Sequence, residues 1–254
     1  MGYQSVTNLQ GRAKRVFPEL EPAGGRQMVW HSDAEPSPVS EQAGRANFAK
    51  PPTLRATTLS VTNFHQHGEL YAEFLKARKR VFIDGKGWDL PSTEGMEFDQ
   101  YDTPLSRWIV VHEFGEVLAG IRLTPTTAKC GIYSYMLRDA QRGLLKDIPA
   151  TVLHYRAPVS DKIWEAARLF VSDGQPASRR SLLQKTLLLS MARSAVEVGA
   201  TQVIGIVPAV FQRWMARIGM SALPIGPRME IDGDRTQAAM MNVRALVEGL
   251  TNEG

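Results

Sequence analysis

RWIVVHEFGEVLAGIRL, residues 107–123, consists of two apolar runs hinged on Gly115. Val, Ile, Leu and Trp crowd both runs, and the glycine between them supplies a turn. The stretch therefore reads as a β-hairpin, with strands near 107–113 and 117–124. Antiparallel pairing at this point makes the fold depend on what flanks the hairpin.

Upstream, TLSVTN from Thr57 alternates like a strand, and Gly68 opens the helix ELYAEFLKARKRVF. Tyr71, Phe74, Leu75, Arg78 and Phe82 recur at helical spacing and form one face. Arg78 thus lies on the apolar stripe, and a buried cation requires an acidic partner. The irregular stretch IDGKGWDLPSTEGMEFDQYDTP that follows is long enough to be a functional loop. Downstream, KIWEAARLFVS reads as a strand. SRRSLLQKTLLLSMARSAVEVG is a helix with a Ser cap and a stop at Gly199. TQVIGIV is a buried strand, and AVFQRWMARIG a helix stopped by Gly219. Two short strand-like pieces and a helix, RTQAAMMNVRALVEG, end the chain, with Met240 and Met241 as flexible core filling on that helix. The order predicts an α+β fold with a mixed central sheet.

Residues 1–54 are rich in Pro, Gly, Ser and Ala without a sustained period, and read as a mobile extension ahead of a domain at 55–254. The 254 residues fit one large domain, and the 43% apolar fraction suffices for a core. No run is long enough to span a bilayer, and the first residues lack the apolar centre of a secretory leader, so the expected location is cytoplasmic. The single cysteine, Cys130, excludes an internal disulfide and reads as a small residue near a strand. A net charge of +4 and a pI near 9.3 favour acidic partners such as phosphates or an acidic carrier protein. No nucleic-acid motif is present, and no nucleic-acid or membrane partner is expected.

Common catalytic signatures, from GxSxG to the phosphate loop, are absent. His65 and His67 lack a third ligand nearby and read as a polar loop, so no metal site is expected. Several odd charges remain: Arg78 near Phe82 and Trp88, Asp99 and Asp102 near Glu97, Arg122 ending the hairpin, and Glu165 with Arg168 inside an apolar strand. On residue type alone, an internal salt-bridge network and a functional site are both consistent with this set.

The ordered set Arg78-x3-Phe82-x5-Trp88-x10-Asp99-x2-Asp102, then Arg122 in RLTPT, then Glu165-x2-Arg168 resembles the acyl-homoserine-lactone synthases, the LuxI-type autoinducer synthases, over roughly residues 56–235. The resemblance implies a GNAT-like acyltransferase fold, an α/β/α sandwich with a splayed central sheet. It also implies that S-adenosylmethionine is acylated from an acyl carrier protein or coenzyme A thioester and then lactonised, with no further cofactor.

On that resemblance Asp99 and Asp102 offset the positive charge of S-adenosylmethionine or orient its loop, and Phe82 and Trp88 offer aromatic faces to the cation. Arg78 and Arg168 bind the substrate carboxylate or brace the acids, Arg122 joins the S-adenosylmethionine site, and Glu165, the candidate base, forms the expected catalytic pair with Arg168. Glu97 reads as surface. Tyr135 or Met136 is expected in the acyl pocket. Gly205 stands where some members carry a threonine, which implies an unsubstituted acyl chain. Arg179 and Arg180, at a helix start beginning near Ser178, either hold a pantetheine phosphate or are solvated. Arg213 and Arg217 share a helix face and either receive an acidic carrier or are likewise solvated. The competing readings are an N-acyl amino acid synthase and a non-catalytic binding module.

Overall fold

The computed structural model describes residues 53–252, apart from 219 and 232. Most of the expected extension, and the Gly219 helix stop, lie outside the described residues. Leu54 opens the first strand.

The elements in order are β1 (Leu54–Leu59), α1 (Phe64–Arg78), a π-helical segment (Lys79–Gly85), β2 (Ser92–Thr93), β3 (Met96–Glu97), β4 (Arg107–Glu113) and β5 (Glu116–Pro125). Then come α2 (Met136–Gln141), β6 (Ile163–Val171), α3 (Ala177–Glu197), β7 (Gln202–Pro208) and α4 (Ala209–Arg217). β8 (Leu223–Ile231), β9 (Asp234–Asn242) and α5 (Val243–Asn252) finish the described chain.

Seven strands form one sheet in the order β1-β4-β5-β6-β7-β9-β8, and β2 and β3 make a separate two-stranded ribbon. The β4–β5 hairpin turns on Phe114 and Gly115, whose φ values of 50° and 87° give the left-handed pair that the twist of two adjoining strands requires. All sheet pairings are antiparallel except β6 with β7. That parallel pairing covers only Ile163–Glu165 against Gln202–Ile204, beyond which the two strands part. Gly205 lies just past the last pair. A Cβ there would stand 2.5 Å from the Ala166 carbonyl oxygen, so a larger residue would need the strands to move.

Alternation along β4 separates the two faces. Ile109 and Val111 join the core beneath α3, α4 and α5, whereas Trp108 and Val110 join the cluster beneath α1. A third cluster, with Leu137 and Ala140 of α2 against Ile204 and Ala238, covers the other end of the α1 face. The result is the expected three-layer α+β architecture.

Several local expectations change. α1 starts at Phe64, before Gly68, and is kinked at His67 (φ −138°). It passes into the π-helical turn rather than running on through Phe82. α3 follows Pro176 with no side-chain cap, so Ser178 sits inside the first turn instead of capping it. Gly199, at φ 72°, does close that helix, its N–H donating to the Val196 carbonyl. The largest correction is at the C-terminus: Asp234–Asn242 is a strand, and the last helix begins only at Val243. Pairing on both edges, with β7 and β8, overrides the helix-favouring Ala-Ala-Met-Met run and puts Met240 and Met241 on the sheet. Cys130 is exposed and sits in an isolated bridge to Tyr133.

Candidate active site

On the α1 face, the hydrophobic clusters under α1 and α2 are separated by charged side chains. Cross-strand register places them: Trp108 lies opposite Arg122, and Thr124 opposite Glu165. Arg122, fully buried, thus emerges in the middle of the face.

Arg78 arrives from the end of α1 with its side chain wholly buried. Its Nη1 and Nη2 donate to the two oxygens of Asp102 at 2.7 and 2.9 Å, and its Nε donates to Glu97. Arg122 donates through both terminal nitrogens to Asp99 and lies 3.0 Å from Asp102. Arg168 forms an ion pair with Asp99 at 2.8 Å and donates its Nε to Glu97 at 3.3 Å. The Trp108 indole N–H and the Asp99 backbone N–H also donate to Asp102, each oxygen thereby receiving more than one donor. Three guanidinium groups and three carboxylates balance.

Glu97 is a correction: expected at the surface, it is fully buried and joins Arg78 to Arg168. Its neighbour Phe98, 43% exposed, takes the outward position that the alternation assigns. Trp108 was also missed as a site residue. Its place opposite Arg122 in the hairpin is the signal that could have found it.

Burial alone would push Asp99 and Asp102 up, but Arg122, with Arg168 and Arg78 respectively, outweighs it and holds both well below the usual carboxylate range. Burial likewise works against the charged forms of Arg78 and Arg122, and the facing acids reverse it. The acids are therefore ionised and already matched by cations of the chain, which ties the 97–102 loop to the sheet.

Arg168 has φ 56°, the left-handed region, in the middle of a strand. β6 has one extra residue there relative to β5, between the pairs Ala167–Arg122 and Phe170–Gly120. This bulge lies three residues past Glu165 and swings the Arg168 guanidinium back toward the network. That group is 10% exposed, the most open of the three, and stands 5.6 Å from the Phe82 ring centroid. Phe82 in turn stacks on Trp88 at 5.1 Å, 15° from parallel. The π-helical turn carries Phe82, and the Trp88 N–H returns to the Phe82 carbonyl at 2.9 Å.

Glu165 occupies the last paired position of β6 before the fork and is fully buried. Its two oxygens accept the first N–H groups of α2, from Met136 at 2.8 Å and Leu137 at 2.7 Å. Burial pushes its carboxyl up to about 7 despite those two N–H groups and Arg122. A carboxyl poised there exchanges a proton near neutral pH.

The remaining expected residues are more dispersed. Tyr135 is fully buried under α2 and donates its hydroxyl to the Pro158 carbonyl, while Met136 is half-buried beside Glu165. Gly205 lines the fork. Arg179 pairs with Glu113 at the end of β4, and Arg180 is exposed on the first turn of α3. Arg213 and Arg217 are exposed on α4. These four do not join the buried cluster. No group of three metal-binding side chains occurs among the described residues. No helix among them is long and apolar enough to cross a membrane.

The family model described as autoinducer synthase matches residues 62–246. An acyl-homoserine-lactone synthase of Ralstonia solanacearum is 30% identical over 175 residues, covering 66% of this chain and 79% of that protein. One from Pseudomonas aeruginosa is 29% identical over 168 residues, covering 65% and 75%. Among solved structures, TofI in a ternary complex with an inhibitor and MTA superposes with a TM-score of 0.63 at 27% identity, covering 78% of this chain and 96% of that one. The acyl-homoserine-lactone synthase LasI, at 24% identity, shares the fold with the same TM-score, covering 77% and 95%. The network, the fork and the family match over residues 62–246 agree, and the chain belongs to the autoinducer synthase family.

Proposed function

We propose that the chain makes an N-acyl-homoserine lactone from S-adenosylmethionine and an acyl thioester, as a signal for cell-density sensing. The observation that carries this reading is Glu165: a buried carboxyl at the fork between β6 and β7, raised to about 7.

The fork receives the thioester, because two parted strands leave room for a chain between them. The methionyl amine attacks the thioester carbonyl, its proton passes to Glu165 directly or through water, and the carrier thiolate leaves. The substrate carboxylate then attacks its own γ-carbon. The C–S bond breaks with its electron pair going to sulfur, the sulfonium is neutralised and methylthioadenosine departs. Phe82 and Trp88 supply the aromatic faces for the sulfonium. Arg168, the most open guanidinium of the cluster, takes the carboxylate. Arg78, Arg122, Asp99 and Asp102 hold that constellation in place, with Glu97 joining them. TofI, 27% identical, was solved with MTA, which suits a family site that holds this nucleoside product.

The acyl chain runs toward Tyr135, Met136 and Gly205. Without a side chain at Gly205 there is no hydroxyl for a 3-oxo group, which favours an unsubstituted acyl chain. Arg179, Arg180, Arg213 and Arg217, all exposed, are the cations offered to an acyl carrier protein or coenzyme A. S-adenosylmethionine is consumed rather than recycled, so the chemistry requires no metal or cofactor. The reading places the enzyme in the cytoplasm, where both substrates are made.

The test incubates the purified full chain with S-adenosylmethionine and a panel of acyl carrier proteins and acyl-CoAs, followed by mass spectrometry. Methylthioadenosine release matched by lactone formation is the expected result. Acylation of another amine, with S-adenosylmethionine untouched, would overturn it.

A further inference from the structure

A second group of arginines lies away from the buried network. β8 and β9 pair with Arg228 opposite Gln237, Met229 opposite Thr236 and Glu230 opposite Arg235. With Gln212 and Arg213 of α4, they line an open groove of about 560 Å³. Arg213, Arg228 and Arg235 are all exposed, and none forms an ion pair among the described residues. Glu230 is the single acid in the lining, so the groove carries a net excess of positive charge. Thr236 contributes a second feature: it is 8% exposed, and its hydroxyl has no hydrogen-bond partner. A buried polar atom without a partner calls for an explanation, and a ligand that binds in the groove supplies one.

The position relative to the fork is informative. β7 leaves β6 after Ile204, and the gap opens toward Pro208, which pairs with Thr236. α4 begins at the next residue, Ala209, which also lines the groove. The arginine groove therefore adjoins the open end of the fork.

We propose that this groove holds the phosphorylated nucleotide of coenzyme A, making acyl-CoA the thioester donor; the proposal rests on the reaction assigned above. The 3′-phosphate and diphosphate of coenzyme A match guanidinium forks. The hydroxyl of Thr236 and the amide of Gln212 suit phosphate and ribose oxygens. The volume falls in the range of small-molecule sites, and the cations converge in a concavity rather than on a ridge. A carrier protein would instead meet the outer ridge of α4, with Arg217 and the 67%-exposed Val210.

Two measurements on the full chain test this. In the first, lactone formation is followed with acyl-CoA, with acyl-dephospho-CoA lacking the 3′-phosphate, and with the same acyl group on acyl carrier protein. The double variant Arg228→Gln/Arg235→Gln should raise KM for acyl-CoA by about ten- to a hundredfold, leaving kcat and the S-adenosylmethionine KM unchanged. Its effect on acyl-dephospho-CoA should be smaller. Turnover with the carrier protein alone, or an unchanged acyl-CoA KM, would overturn the proposal. The second measurement is calorimetric binding of adenosine 3′,5′-bisphosphate. Binding to the wild type that the double variant weakens at least tenfold supports the groove, and absence of binding overturns it. If no donor releases methylthioadenosine while the bisphosphate still binds, the reaction assignment fails and the anion site stands.

Discussion

Among the described residues, two clusters of three arginines are built in opposite ways. Arg78, Arg122 and Arg168 sit in the interior and meet Glu97, Asp99 and Asp102, an equal number of acids from the chain itself. Arg213, Arg228 and Arg235 sit in a groove with Glu230 as the one acid in the lining. A guanidinium removed from water must be matched where it stands, because desolvation in the interior is expensive. One left in water can wait for a ligand. The first cluster is thus an internal brace and the second an open receptor, although residue type alone does not separate them.

The largest effect is expected at Arg122. Arg122→Met leaves Asp99 and part of Asp102 buried without their main cation, and should cost about 3–5 kcal/mol of stability, read by urea unfolding. A loss under about 1 kcal/mol would mean that the interior cluster is no brace. Next is Glu165→Gln, for which acyl transfer should fall about a hundredfold or more while S-adenosylmethionine binding changes little. Because burial raises this carboxyl to about 7, wild-type kcat/KM should climb as pH rises through about 7, and that limb should vanish in the variant. The same shift has a stability consequence of fixed sign. The folded protein holds the Glu165 proton more tightly than the unfolded chain does. Its contribution to stability is therefore full below the ordinary glutamate range and is lost as pH rises through about 7. Glu165→Gln should flatten that decline in thermal unfolding measured across the interval.

Asp99→Asn is intermediate. It keeps the shape of the loop but weakens the pairs with Arg122 and Arg168, and should raise the S-adenosylmethionine KM by about tenfold. Unchanged titration curves would confine Asp99 to the brace. The smallest effect is expected in the groove: Arg228→Gln should shift unfolding stability by no more than about 0.5 kcal/mol, since it removes an exposed side chain with no ion pair among the described residues. A large loss there would erase the contrast between the clusters.

The interior cluster was partly legible in the sequence, whereas nothing there singled out Arg228 or Arg235. Arg78 at a helical spacing among Phe74, Leu75 and Phe82 announces a buried cation, and the acids it needs do face it. The hairpin at 107–123 has local turn chemistry and strong alternation, and its strands fall where those signals place them. Glu97 was illegible because its strand is two residues long and gives no period to count. The strand Asp234–Asn242 was hidden for another reason. Alanine and methionine favour helices locally, and only pairing with β7 and β8, both distant in the chain or across a bulge, decides otherwise. Arg179 is similar, since its partner Glu113 lies 66 residues away in sequence.

The seam between β6 and β7 also bears on how the protein assembles. Three residue pairs join a first half, β1-β4-β5-β6, to a second, β7-β9-β8. The first half is contiguous in sequence up to Val171 and can satisfy its own ladders before the second exists. The fork is a relation between halves rather than a property of either, so it comes into being only when both have docked. Glu165 stands on the boundary strand, so undocking the second half removes the fork beside it while its own ladder with β5 can stay intact.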